Sequence, residues 1–158
     1  MRKWTVLIIF TLTLHLSLTN GRNPVKNDMV QPQIQNTVVD LRAKYHIPKK
    51  FGQRQIERVL KLSAEFSIPE HIAFNLIREE SRFDSTVVSK RGAKGYLQLL
   101  PKYFTFVNSD DNLRQGFKFL RQQFDRLGTW RKAVNYYNSG HRMCARKKYL
   151  DSILNETT

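Results

Sequence analysis

PEHIAFNLIREESRF, residues 69 to 83, reads as a single helix with a broad apolar face. Pro69, with its fixed φ, suits the first turn. At about 100° per residue with Ile72 at zero, Ile72, Ala73, Phe74, Leu76, Ile77 and Phe83 average to a direction near roughly 70°. On the same wheel Glu80 falls at about 80° and Glu79 at about 340°. One of the two adjacent glutamates therefore points into the middle of the apolar face, and the other sits at its edge.

A carboxylate on an apolar face is costly unless it is neutralised or paired. Desolvation favours the neutral acid and raises its pKa, and a carboxyl still protonated near neutral pH can donate to a leaving group. Glu80 is thus a candidate general acid, with Glu79 its solvated neighbour. A buried ion pair with a basic residue satisfies the same wheel equally well.

Outward from this helix, residues 22–50 are polar, carry three prolines and read as a linker with at most one short helix around Val38 to Tyr45. The composition changes after Gly52, where Ile56, Val59, Leu60 and Ser63 share one helical face. Beyond Phe83 a Ser/Gly stretch, SKRGAKG, leads into an apolar run ending at Pro101. Asp110, Asp111 or Asn112 can cap a further helix, in which Leu113, Phe117, Leu120 and Phe124 form a core stripe. AVNYYNSG ends another short helix at Gly140, a natural C-cap, and a last amphipathic piece holds Tyr149, Leu150, Ile153 and Leu154. With no alternating strand pattern and no internal repeat, the fold class expected is mainly α, a single helical domain over residues 51–158.

The 158 residues, 41% hydrophobic and 11% aromatic, are ordinary for one globular domain. The net charge of +14 implies attraction to something acidic: nucleic acid, an anionic membrane surface or an acidic wall polymer. In residues 1–21, Arg2 and Lys3 precede an apolar run from Trp4 to Leu18, the charge order of an export signal, either cleaved or retained as an N-terminal anchor. A cell-envelope location, periplasmic or extracellular, follows from it. Cys144 is the only cysteine, which rules out an internal disulfide and a Cys-rich metal site. His15, His46, His71 and His141 are scattered, so no metal and no cofactor is expected.

Glu80-Ser81-x-Phe83, followed by Ser89-x-x-Gly92-Ala93-x-Gly95-Tyr96-Leu97-Gln98-Leu99-x-Pro101, resembles the signature of the soluble lytic transglycosylases, lysozyme-like enzymes that cleave bacterial peptidoglycan. Downstream, Asn112-Leu113-x-x-Gly116-x-x-Phe119-Leu120 and Tyr137-Asn138-Ser139-Gly140 resemble two further motifs of that family, in the same order. The resemblance implies a lysozyme-like helical domain with a substrate cleft. It implies that Glu80 is the single catalytic acid and then base, and that Ser81 supports its carboxyl group. It also implies that Ser89, Gln98, Tyr137 and Asn138 line the cleft and hold the substrate or Glu80. Phe83, Leu97 and Leu99 read as packing. Tyr96 and Leu97 depart from the family's leucine and methionine, a change expected at the cleft wall.

The reaction so implied is a non-hydrolytic cleavage between N-acetylmuramic acid and N-acetylglucosamine that leaves a 1,6-anhydro end. No second acidic residue matches a motif; Asp84 is nearest and reads as a local loop contact. The partners implied are peptidoglycan glycan strands and, by analogy of architecture, a conjugation, secretion or bacteriophage assembly, with the enzyme a monomer. A hydrolytic muramidase of the goose-lysozyme kind would share the fold and the acid. From another class, Lys61 to Ile77 could form a DNA-binding helix-turn-helix, although Glu70 and Glu79 would repel phosphate.

Overall fold

A computed structural model describes residues 30–140 and 146–155, with side-chain surroundings from residue 37 onward; the segment read as an export signal and His141 lie outside the described residues. Among them the secondary structure is helical: α1 Val30–Tyr45, α2 Gln53–Glu65, α3 Glu70–Ser81, α4 Ser109–Leu127, α5 Trp130–Ser139 and α6 Lys147–Leu154. No named strand occurs there; the loop between α3 and α4 holds two isolated bridges, Val88 with Lys94 and Lys94 with Leu99.

The quoted stretch forms the central helix. Pro69 stands at the N-cap of α3, and every residue from Ile72 to Ile77 is buried. α3 therefore packs on more than the single face the wheel implied, with α1, α2 and α6 as its neighbours. Little of such a helix is left to lay in a DNA groove, and its exposed Glu79 would repel phosphate, which weighs against the helix-turn-helix alternative.

Asn75 is the one polar residue in that buried run, and its amide donates to Ile153 O at 3.1 Å and to Asn155 Oδ1 at 2.9 Å. Arg78 adds a bond to Ser152 O at 3.0 Å. The end of α6 is thereby tied to the middle of α3, far away in sequence.

Two local readings shift. The cap of α4 is Asn108, whose side chain accepts from Asp111 N at 2.9 Å; Asp110 and Asp111 occupy the first turn, where carboxylates suit the helix dipole. On α2, Leu62 is fully buried whereas Leu60 is only partly so, because the face turned to the core lies nearer Leu62.

The larger difference lies upstream. Residues 22–50 were expected as linker with at most one short helix around Val38 to Tyr45; the helix there, α1, is longer, spanning 16 residues, and Leu41, Tyr45 and Ile47 are buried in the common core. Tyr45 stacks on Phe74 with centroids 5.0 Å apart, and its hydroxyl donates to Glu70 Oε1 at 2.7 Å. Polar composition misled here because a helix that caps the core from outside needs only a narrow apolar stripe.

Candidate active site

Glu80 lies on the last turn of α3, where the αL conformations of Arg82 (φ 53°) and Phe83 (φ 61°) turn the chain sharply into the loop. Phe83 is driven into the core against Phe51, with ring centroids 5.0 Å apart. The helix end is thus anchored one turn from the carboxyl group.

Glu80 is half-buried, and burial pushes its carboxyl up to about 7; Tyr149 on α6, whose phenol donates to Glu80 Oε1 at 2.5 Å, pulls the other way, and the neighbouring charge of Glu79 adds a smaller upward push. No basic side chain among the described residues figures in these influences, so there the ion-pair alternative for Glu80 gives way to a desolvated carboxyl. Glu79 is exposed and lies 3.5 Å from Arg78.

Two half-buried tyrosines flank the carboxyl. Burial, and then the charge of Glu80, raise the pKa of both Tyr137 and Tyr149 well above the ordinary tyrosine value. Both remain neutral donors over the physiological range. Tyr137 donates to Leu97 O at 2.8 Å, and the Asn138 side chain hydrogen-bonds to the Tyr149 phenol. Glu80, Tyr149 and Asn138 are therefore joined in a hydrogen-bonded chain, with Tyr137 near enough to feel the charge of Glu80, and the connected group draws on α3, α5 and α6. Tyr149 carries no mark in the sequence beyond a place in an amphipathic piece.

The loop between α3 and α4 is held by Asn112. Its side-chain oxygen accepts from Leu97 N at 2.9 Å, and its amide donates to Lys94 O at 3.0 Å. Gly95, at φ 78°, passes so close that an added Cβ would lie 2.7 Å from the Asn112 amide. Gly116 does the same from α4: a Cβ there would meet Leu97 Cδ1 at 2.5 Å and Tyr137 Oη at 3.0 Å. Both glycines are needed for close approach, and both approaches fix Tyr137 and its partner Leu97.

The residues expected around Glu80 divide. Tyr137 and Asn138 belong to the group. Ser81 is buried, but its hydroxyl donates to Ile77 O at 3.1 Å, one turn back, so its single hydrogen is not given to Glu80. Gln98, at φ 45°, uses its amide to hold Val87 O at 3.0 Å and Gly95 O at 2.9 Å, securing its own loop while it lines the cleft. Ser89 closes a turn, its Oγ accepting from Ala93 N at 3.0 Å, and is not part of the cleft wall. Tyr96 and Leu97, expected to alter that wall, are buried; Tyr96 packs edge-on to Phe51 at 5.2 Å. Asp84 Oδ1 accepts from Thr86 N at 2.9 Å, and its other oxygen meets Lys50 at 2.7 Å, which holds the carboxyl well below the usual range as a local loop contact.

An open cleft of about 680 Å³ runs beside this group, walled by Tyr103, Phe104, Phe119, Tyr136 and Tyr137. Asn138, Gln98 and Arg91 supply polar positions along it. Glu80 is not itself in the wall. Tyr137 and Asn138 belong both to the wall and to the group around the half-buried carboxyl. Among the described residues, no cluster of three His, Cys, Asp or Glu side chains could hold a metal ion.

An amphipathic trough of aromatic rings beside one protonatable carboxyl suits a polymer of amphipathic sugar rings, with chemistry at a single bond. A family model described as the transglycosylase SLT domain matches residues 57–156, a span that takes in every side chain of the connected group.

Proposed function

The chain belongs to the transglycosylase SLT family, with a function of the peptidoglycan-cleaving, lytic transglycosylase type, and on that premise we propose that Glu80 alone serves as its acid and then its base. The glycosidic oxygen between N-acetylmuramic acid and N-acetylglucosamine takes the proton of Glu80 as the bond to the anomeric carbon breaks. The muramic N-acetyl group stabilises the cationic carbon, as in substrate-assisted glycosidases. Glu80, now anionic, removes the proton of the same sugar's 6-hydroxyl, and that oxygen bonds to the anomeric carbon. A 1,6-anhydro ring closes, Glu80 regains its proton, and no water is consumed.

The observation that carries this reading is the opposed environment of Glu80. Burial holds the proton before cleavage, with the carboxyl near 7, and the Tyr149 phenol offers the anion a short hydrogen bond after it. A second carboxylate would be needed by a two-carboxylate glycosidase, but Glu79 is exposed and Asp84 is engaged by Lys50 and Thr86. The proposal extends to place. Export by residues 1–21 would bring the enzyme to its insoluble polymer, where a conjugation, secretion or bacteriophage assembly could use a local opening, and the basic surface would hold it on an anionic wall.

The test compares Glu80→Gln with Glu79→Gln on purified cell walls, with mass spectrometry of the released fragments. Glu80→Gln should abolish release with an unchanged circular dichroism spectrum, while Glu79→Gln stays close to the parent. Fragments ending in anhydro sugars support the lyase reaction. Reducing ends, heavier by one water, would instead assign the chain to the hydrolytic muramidases, and equal damage from both substitutions would remove Glu80 from its role.

A further inference from the structure

Arg91 is exposed and lies in the wall of the aromatic cleft. No Asp or Glu shares that wall, and no acidic side chain among the described residues pairs with Arg91. Two more cations flank the same rings: Lys102 Nζ lies 5.0 Å from the centroid of Tyr103, and the Arg126 guanidinium 4.3 Å from that of Tyr136. Elsewhere the surface cations are often matched, as Lys44 is by Glu70, Lys50 by Asp84, Arg114 by Glu65 and Arg131 by Asp151.

The backbone beneath Arg91 is fixed. Ser89 N donates to Ala93 O at 2.9 Å, Gly92 N to Ser89 O at 2.9 Å, and Ala93 N to Ser89 Oγ at 3.0 Å, with Gly92 at φ 80°. A guanidinium on such a turn loses less freedom on binding than one on a mobile loop, and its planar fork matches a carboxylate. This gives Ser89 a positioning role through Arg91 in place of the direct contact first expected of it.

Resting on the reading of the cleft as a glycan site, we propose that Arg91 is a specificity residue that binds a free carboxylate on the peptide stem carried by the muramic sugar. The neutral rings of the cleft take the sugars, and Arg91 takes the charge their side branch brings. Strands whose stems bear free carboxylates are then preferred over strands whose stem carboxylates are amidated. The carboxylates of wall polymers other than the stems are excluded as the source if the preference survives on soluble, polymer-free glycan strands.

The experiment uses the full chain and two soluble strand preparations differing only in stem amidation. The parent should turn over the free-carboxylate strands about three- to tenfold better in kcat/KM, with the preference shrinking as salt rises. Arg91→Gln should reduce that ratio to near one, and Arg91→Lys should keep part of it. An unchanged ratio in Arg91→Gln, or equal losses on both strands, would overturn the proposal. A binding arm with Glu80→Gln, measuring retention on the same strands, reads the preference without turnover; it would still decide the matter if the parent formed no anhydro product and the catalytic reading failed.

Discussion

At Glu80, burial and the Tyr149 hydrogen bond act in opposite directions, so each can be removed separately. Tyr149→Phe deletes the phenol that favours the anion, and the pKa of Glu80 should rise above its present value of about 7. The alkaline limb of the pH–rate profile should move upward, and the maximal rate should fall about tenfold as the anion loses its partner. A profile that does not move would mean that the phenol only packs. Stability gives a second check. The carboxyl stands at about 7 in the folded chain against an ordinary 4.5, so its contribution is fully present below the lower value and is lost as pH rises through the upper one. Glu80→Gln carries no charge to bury, so its melting temperature should match the parent's below about pH 4.5 and exceed it increasingly from there to pH 8.

Between elements, small clearances hold the site. Gly116 lets α4 pass under Leu97 and Tyr137, and a Cβ at 2.5 Å from Leu97 Cδ1 cannot be absorbed by backbone that is itself bonded to Asn112 and Tyr137. Gly116→Ala should destabilise the chain by about 1–3 kcal/mol in denaturant titration and also lower activity, since Tyr137 must shift. Asn108→Ala loses the cap of α4 and should cost about 1 kcal/mol without touching the cleft. The contrast separates an element that merely holds its end from one whose surface shapes the site. The loop between α3 and α4 is of the second kind. Its bridges, the Gln98 amide and the Asn112 clamp satisfy its backbone internally, and it presents Arg91 from a rigid turn.

For the molecule as a whole, α1 extends the packed body upstream of Phe51. Tyr45 and Ile47 are buried and Tyr45 bonds to Glu70 at the start of α3, so a chain beginning at residue 51 would expose the Phe74 side of the central helix. Such a truncation should lower the denaturation midpoint by the equivalent of about 3 kcal/mol or more. Full stability in the truncated chain would show that α1 is dispensable.

The local order of residues was enough to determine the helices downstream of Gly52, the core stripe of α4, the αL glycine at Gly140, the place of Glu80 on an apolar face and the family motifs, because each rests on short-range periodicity, turn chemistry or fixed spacing. The packing of α3 on three neighbours, the docking of α1, the meeting of Tyr149 with Glu80, the use of the Ser81 hydroxyl within its own helix and the presentation of Arg91 by the Ser89 turn were decided only in three dimensions. Those contacts join positions far apart along the chain or choose among several partners within reach of one donor. The choice depends on which groups the fold has already taken out of water, and no local pattern encodes that.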